Sequence, residues 1–353
     1  MFGLLNSKSV VGLDIGASSV KAVQLKRGRS VNELVSLGVA PLPPETIVDG
    51  VIMDSGTVIA AVQNIFTEQK IKTKDVVVAV SGHSVIVKKI RVPKQKPEEL
   101  AQTIAFEADQ YVPYAVEDVN LDYQVLKGAN PDANELDVLL VAVKKDVIND
   151  YLSIISTAGL NVVVVDVDAF ALENAYELAY ETAEGQVVAL VNLGAAVMNI
   201  NILQNGLSEF TRDSPLGGNR YTESIQKMMG LSYEQAENLK LGTEVEGRKI
   251  DEARPAMDMV NAEVAGEIRR SFDFFRSSSR NDTIHRALLS GGSARLPGLV
   301  EYLTQSLEIP FEIANPLRKT KADRKRFDPT FLETVAPQLT VSVGLAMRHA
   351  GDK

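Results

Sequence analysis

A hairpin that occurs twice constrains this chain more than any other feature. In residues 10–25 an apolar run ends at Asp14, turns through Gly16, Ala17 and Ser18, and resumes as an alternating strand through Ser19 and Lys21. Residues 187–200 repeat the plan more loosely, with Asn192 ending the run and Gly194, Ala195 and Ala196 in the turn. Each copy is predicted to be a β-hairpin whose turn offers backbone N–H groups to an anion. Two such turns facing each other would clamp a nucleotide.

The pattern around each copy is α/β. After the first hairpin come a strand near residues 31–39, a helix capped by Asp54 or Ser55 with Val58, Ile59, Val62, Ile65 and Phe66 on one face, and a buried strand at 76–80. Residues 80–160 then read as a β-α-β-β-α module of their own. Its first helix starts at Pro97 and shows Leu100, Ile104, Ala108 and Tyr111 on one face; its second presents Val147, Ile148, Tyr151, Leu152 and Ile155 and ends at Gly159. Residues 128–132 make the turn between its last two strands. A parallel strand at 161–166 and a helix over 169–183 lead to the second half. There the hairpin, a third strand at 207–212 and a helix over 220–229 restart the plan. Helices follow to about residue 280, one of them over 260–276, then strand, glycine turn and helix at 286–299, and a final helix carrying Val343, Leu345, Ala346 and Met347.

With 353 residues, 45% of them hydrophobic, the chain is long enough for two or more domains with full cores. Zero cysteines exclude disulfides and thiolate metal sites, and His83, His285 and His349 are scattered. A net charge of -9 and the absence of tryptophan argue against a nucleic-acid binder. The short apolar start, Met1 to Leu5, is no signal peptide, and no apolar run approaches membrane-spanning length, so a cytoplasmic location without direct membrane insertion is expected. One basic stretch, residues 318–326, holds six cations and one acid; it reads either as a solvated loop or as a contact for acidic lipid or a partner.

Three glycine turns at strand ends belong together. Asp14, Asn192 and the pair Gly291 and Gly292 come from separate units at strand ends, where open α/β sheets place their ligands. Gly16 and Gly194 permit close backbone approach, their small neighbours leave N–H groups accessible, and Lys21 supplies a point charge, unless it is simply an exposed strand lysine.

This arrangement resembles the superfamily of actin, Hsp70 and sugar kinases, in which two ribonuclease-H-like halves hold ATP between them. Residues 14–21 fit the first phosphate motif, 191–196 the second and 289–298 the adenosine motif. The resemblance implies ATP with Mg²⁺ held through water by Asp14, and connecting helices beginning near Ala169 and Thr340. It also implies nucleotide contacts from Gly217, Gly218, Glu237, Lys240 and Arg295; an i,i+3 surface pair is the other reading of Glu237 and Lys240. The acid is usual at Asn192, and a neutral amide is no general base, so hydrolysis is expected to be weak or absent. Asp168, or equally Asp166, is the remaining candidate to position water. Bound ATP would then set the angle between the halves.

The inserted module decides the branch. Residues 81–85, read as a strand, with 106–114, 121–126 and 141–145, closely resemble the PilM family of type IV pilus assembly proteins, whose relative FtsA shares the subdomain arrangement. The implied fold is a duplicated ribonuclease-H-like, actin-like ATPase with an inserted FtsA-type β-α-β-β-α subdomain. Residues 1–80 and 161–185 would form the first lobe, 81–160 the insert, 186–219 and 281–353 the second lobe, and 220–280 a helical subdomain. The implied role is a cytoplasmic ATP-binding scaffold, peripheral to the inner membrane, that captures the N-terminal tail of the membrane protein PilN between the first lobe and the insert and meets other platform components, with self-association open. Phe106, Gln110, Tyr111 and Tyr114 are the peptide-binding candidates; Phe106, Tyr111, Tyr114 and Tyr123 concentrate aromatics in one module of a chain with only 6% of them. Packing within the module core is the other use for these rings. An FtsA-like polymerising ATPase is the alternative function, less expected because no amphipathic segment follows residue 348. A metabolic kinase would need a carboxylate base beside a sugar pocket, for which no compelling residue stands out.

Overall fold

The structure, a computed structural model, describes residues 9–28, 30–126, 134–279 and 283–352. The expected turn at 128–132 and the segment Met1 to Leu5 lie outside the described residues.

The opening meander is β1 (Val11–Ile15), β2 (Ser19–Lys26) and β3 (Glu33–Pro41), antiparallel throughout. A small ladder of β4 (Ile47–Val48) and β5 (Val51–Ile52) precedes α1 (Ser55–Glu68), whose N-cap is Asp54, its carboxylate accepting from the Thr57 N–H. β6 (Asp75–Val80) pairs parallel with β1. The insert is β7 (Val85–Pro93), α2 (Pro97–Tyr111), β8 (Val119–Val125), β9 (Glu135–Lys144) and α3 (Lys145–Thr157), with its own antiparallel sheet in the order β7-β9-β8. β10 (Asn161–Val167) returns parallel to β6, and α4 (Asp168–Ala179) leaves the sheet.

The plan then repeats with β11 (Val187–Leu193), β12 (Met198–Gln204), β13 (Leu207–Ser214), α5 (Gly218–Met229), α6 (Tyr233–Lys240), α7 (Ile250–Ser278), β14 (Arg286–Ser290), α8 (Leu299–Leu307) and β15 (Phe311–Ile313). β16 (Lys321–Ala322), α9 (Pro329–Val335) and α10 (Thr340–Leu345) complete the chain. The two large sheets run β10-β6-β1-β2-β3-β16 and β13-β12-β11-β14-β15. In both, a hairpin-led meander has a parallel strand added beside its first strand, which is the duplication that the repeated hairpin foreshadows.

Strands covered on both faces read as unbroken apolar runs. β6 is such a strand: Val76, Val78 and Val80 face the core beneath α1 and α3, while Val77 and Ala79 face a second core with α4, α10 and the strands of the other sheet. The connecting helices α4 and α10 cross at backbone distance. A Cβ on Gly344 would stand 1.8 Å from the Ala171 carbonyl oxygen, and one on Gly12 would stand 2.1 Å from that of Ser342. Only hydrogen fits at either place.

Several elements depart from the sequence expectation. α7 starts ten residues early, at Ile250, and carries Pro255 in its second turn, where just one helical N–H is forfeited. Ser81 to Ser84 form a turn rather than a strand. Leu100, Ile104 and Ala108 are buried as expected on α2, but Tyr111 is 40% exposed because Val112, just past the helix, fills the core in its place. On α3, Ile154 rather than Leu152 is in the core. α10 ends at Leu345, which leaves Ala346 and Met347 in the turn beyond it. The basic stretch is no loose loop: Lys321 and Ala322 form β16, parallel to Glu33 and Leu34 at the edge of the first sheet.

Candidate functional site

The second lobe builds a cradle from four strand or helix ends. The Gly194 N–H closes the β11–β12 turn on the Val197 carbonyl at 3.0 Å. The start of α5 is laid against this turn: Gly218 N donates to the Gly194 carbonyl and Asn219 N to the Ala195 carbonyl, both at 2.8 Å. A Cβ on Gly217 would meet the Ala195 carbonyl oxygen at 2.5 Å, so this close approach requires glycine. Gly291, at φ +92°, bends the chain over Leu193, and Ser293 Oγ donates to the Gly194 carbonyl at 3.4 Å. Gly194, Ala195, Gly217, Gly218 and the glycine turn after β14 therefore converge; Ala196 completes the hairpin turn, and Gly292 and Arg295 lie exposed on the short 3-10 segment that follows.

Glu237 and Lys240 line the same cradle and are not a surface pair. Lys240 is buried, its Nζ 2.6 Å from Glu237 Oε2, and it also donates to Thr222 Oγ1 at 3.0 Å and to the Gly218 carbonyl at 3.2 Å. Burial pushes its pKa down, against the pull of Glu237. A buried ammonium this well bonded holds α6 to the first turn of α5.

In the first lobe Lys21 is buried and turned inward, its Nζ 3.0 Å from Asp14 Oδ2 and 3.4 Å from the Ser19 carbonyl. Cross-strand pairing of Asp14 with Lys21 in the β1–β2 hairpin places the two side by side. Gly16 leaves room for this ammonium: a Cβ there would stand 3.2 Å from Lys21 Nζ. Ala17 and Ser18 form the tip, with Ser18 exposed.

Of the two acids weighed for water positioning, Asp168 stands by Asp14. Burial, and next the Asp14 charge, push its carboxyl up to about 7, opposed by a hydrogen bond from Ser81 and by Lys21. Asp166 is instead buried beside Arg348, whose Nε is 3.2 Å from Asp166 Oδ2. Tyr151 of the insert reaches the same region; burial and the charges of Asp168 and Asp14 raise its pKa.

A polar chain joins the lobes. Ser290 Oγ donates to Asn192 Oδ1 at 3.3 Å, Asn192 Nδ2 to Asn199 Oδ1 at 2.9 Å, and Asn199 Nδ2 to Asp213 Oδ1 at 2.9 Å. The other oxygen of Asp213 accepts the Gly82 N–H, at the mouth of the insert, at 2.6 Å. Sequence reasoning missed Asp213, Asn199, Ser81 and Thr222. The one signal for Asp213 was an acid at the end of an alternating strand, just beyond the expected boundary at Arg212.

The peptide candidates divide. Phe106 is 71% exposed on α2, with Gln110 and Tyr111 also exposed. Tyr114 packs against the module core and lies at its seam with the first lobe: its hydroxyl donates to the His83 carbonyl at 3.1 Å, and Lys144 Nζ sits 4.3 Å from its ring centre. It borders a concavity of about 450 Å³ with Ala115, Asp118, Lys144, Lys145 and Asp146. Tyr123 also packs against that core.

A family description, Type IV pilus assembly protein PilM, matches residues 12–350. The chain belongs to the PilM family. The solved PilM-PilN type IV pilus biogenesis complex is similar over 98% of this chain and 99% of that one, with a TM-score of 0.87 and 28% identity. MreB 5 of Spiroplasma citri bound to AMPPNP shares the fold, at a TM-score of 0.52 and 14% identity over 95% of this chain and 94% of that one. The cell division protein FtsA of Bacillus subtilis is 23% identical over 357 residues, covering 88% of this chain and 79% of FtsA. The PilM-family fold is thus the actin-like one with the FtsA-type insert. In this PilM-family chain the acids that face the junction of the lobes are Asp14, Asp168 and Asp213, and Asn192 commits its amide to neighbours on both sides.

Proposed function

We propose that the chain is an ATP-binding scaffold of the type IV pilus assembly platform that captures the N-terminal tail of PilN. The observation that carries the nucleotide half is the meeting of three glycine turns: the hairpin turn at Gly194, the helix start at Gly217 and Gly218, and the turn at Gly291 are hydrogen-bonded or packed into one cradle. The N–H groups of Gly194, Gly218, Asn219 and Gly291 are spent on the carbonyls of Val197, Gly194, Ala195 and Pro337 in holding the cradle together, which leaves the turn residues Ala195 and Ala196 and the start of α5 as the backbone assigned to a polyphosphate. Gly16, Ala17, Ser18, Ser19 and Lys21 are assigned to the phosphates from the other lobe, Glu237 and Lys240 to the ribose, and Gly291, Gly292 and Arg295 to the adenosine. The AMPPNP-bound relative supports a nucleotide of this class.

Among the described residues no cluster of three or more histidine, aspartate or glutamate side chains is placed to hold a metal ion. Mg²⁺ is therefore assigned as an ion brought by the phosphates, with Asp14 fitted to meet its water shell, as small hard cations prefer. Weak or absent hydrolysis fits the neutral Asn192, with Asp168 left as the only acid of the pair near Asp14.

For the tail, the support is the similarity to the PilM-PilN complex together with the exposed face of Phe106, Gln110 and Tyr111 and the concavity beside Tyr114. No helix among the described residues is long and apolar enough to cross a membrane, and a membrane-spanning anchor is assigned to the partner. The test is to denature the purified protein, identify released nucleotide, and titrate a labelled PilN-tail peptide against the wild type and Phe106→Ala. Co-purified or loadable ATP, and a tail affinity lost in the variant at unchanged melting temperature, are expected. A protein that neither carries nor takes up Mg-ATP overturns the nucleotide reading; tail binding indifferent to Phe106 overturns the assigned face. The similarity to FtsA favours one second reading, ATP-dependent polymerisation, which pelleting with ATP would reveal.

A further inference from the structure

The basic stretch is a built feature at the edge of the first sheet. β16 adds to β3 there, with Lys321 opposite Glu33, which on its other side faces Lys26 of β2. Beyond β16 the chain makes a tight turn. The Asp323 carbonyl accepts the N–H groups of Arg326 and Phe327, both at 2.9 Å, and its carboxylate accepts that of Lys325 at 3.0 Å. Phe327 is 8% exposed and anchors the turn in the core beneath β2 and β3. Asp328 then caps α9 through the Thr330 and Phe331 N–H groups. This scaffold holds Arg324, Lys325 and Arg326 outward in fixed array, and it holds Phe331 47% exposed one helical turn later.

At the tip, Arg326 has one internal contact, its guanidinium lying 5.4 Å from the centre of the Phe327 ring. Farther back in the stretch, Arg318 lies over the Tyr180 ring and Lys319 meets Glu181. Lys321, Arg324 and Lys325 have no acidic partner among the described residues. Six cations against Asp323 and Asp328 leave residues 318–328 at net charge +4, in a chain of net charge -9, a local field opposed to the protein's overall one.

We infer that this turn, with Phe331, docks on the surface of an anionic phospholipid bilayer. All of residues 323–326 and 328–331 are exposed, so the feature stands outward from the sheet edge, whereas peptides are held in grooves and along sheet edges left open. A projecting cationic turn beside an exposed aromatic suits a flat layer of headgroups, where each cation gains from the surface potential and the ring reaches the acyl boundary. A long nucleic acid would instead meet the field of the whole acidic chain. The insert leaves the sheet between β6 and β10, and β10 is about 24 Å from β16 at ordinary strand spacing, so lipid contact leaves the module free. This inference needs neither nucleotide nor tail peptide.

The test is flotation of the full chain with phosphatidylcholine vesicles, with and without about one-third phosphatidylglycerol, at low and high salt. The protein should float only with the anionic vesicles and be released by salt. Removing three cations together, Arg324→Ser, Lys325→Ser and Arg326→Ser, should weaken binding about 100-fold, on the order of fivefold each. Phe331→Ser should weaken it about fivefold at unchanged net charge. Melting curves of both variants, expected to match the wild type, establish that they are folded. Failure to float at low salt overturns the inference, as does flotation that the triple variant retains. Binding to polyglutamate but not to vesicles would overturn it too and assign the turn to an acidic protein.

Discussion

The Asp213 carboxylate accepts the Gly82 N–H at 2.6 Å with one oxygen and the Asn199 amide at 2.9 Å with the other. One side chain thus ties the mouth of the insert to the polar chain that runs through Asn192 to Ser290. Asp213→Ala would strand two donors, at about 1–3 kcal/mol each. Chemical denaturation should show the loss, and Asp213→Asn, which keeps one acceptor, should lose less than half as much. Equal stability of the alanine variant and the wild type would mean that the contact is not made in solution.

Lys21 is the cation nearest the first hairpin turn, and its ion pair with Asp14 keeps it in place. Lys21→Ala should lower Mg-ATP affinity by at least about tenfold, as expected for the loss of a charge-assisted bond to phosphate. Lys21→Arg should retain part of it. A fluorescent nucleotide titration reads both, and the order of the two affinities is the discriminating result.

The Asp168 carboxyl stands at about 7 in the folded chain against an ordinary 3.8. Between those values the folded state holds a proton that the unfolded chain has released, so this group makes stability fall as pH rises from about 4 to about 7 and adds no further change above it. Asp168→Asn removes the dependence. Melting temperatures across that interval should show the variant gaining on the wild type as pH rises, with the gap levelling near neutrality. Glu173, also raised to about 7 by burial and by Glu177, is present in both proteins and cancels in the difference. A gap that stays constant with pH would refute the assignment.

Gly344→Ala forces a methyl group into the Ala171 carbonyl, 1.8 Å from an unmoved Cβ. Overpacking of this kind costs about 1–3 kcal/mol and here has backbone on the other side, so the upper end is expected. Gly230→Ala, at a left-handed helix end with open space around it, should cost only its backbone strain of about 1 kcal/mol. Thermal unfolding of the two variants should rank them in that order.

Much of the fold was legible because its determinants are local. The hairpins around Gly16 and Gly194 announce themselves by an apolar run, a glycine and an alternating strand, and Asp54 marks a helix start three residues before the N–H that it accepts. What stayed hidden depends on partners far along the chain. Nothing near Asp213 tells that its acceptors serve Gly82 and Asn199, and nothing near Thr222 tells that it meets Glu237 and Lys240. The two residues of β16 are too few for any periodicity. Tyr111 fits the helical face of α2 but is displaced from the core by Val112, an outcome that spacing alone does not decide.

The touching backbones of α4 and α10 also constrain any rotation of the halves about their crossing. Gly344 lies against Ala171 at that crossing and Gly12 of β1 lies against Ser342 of α10, with Leu172, Tyr176, Val341 and Leu345 packed around them. A swing of about 10° about the crossing carries a point ~20 Å out through roughly 3.5 Å, the scale of a hinge closure around a small ligand. Any such swing has to preserve the two backbone contacts that Gly344 and Gly12 make possible.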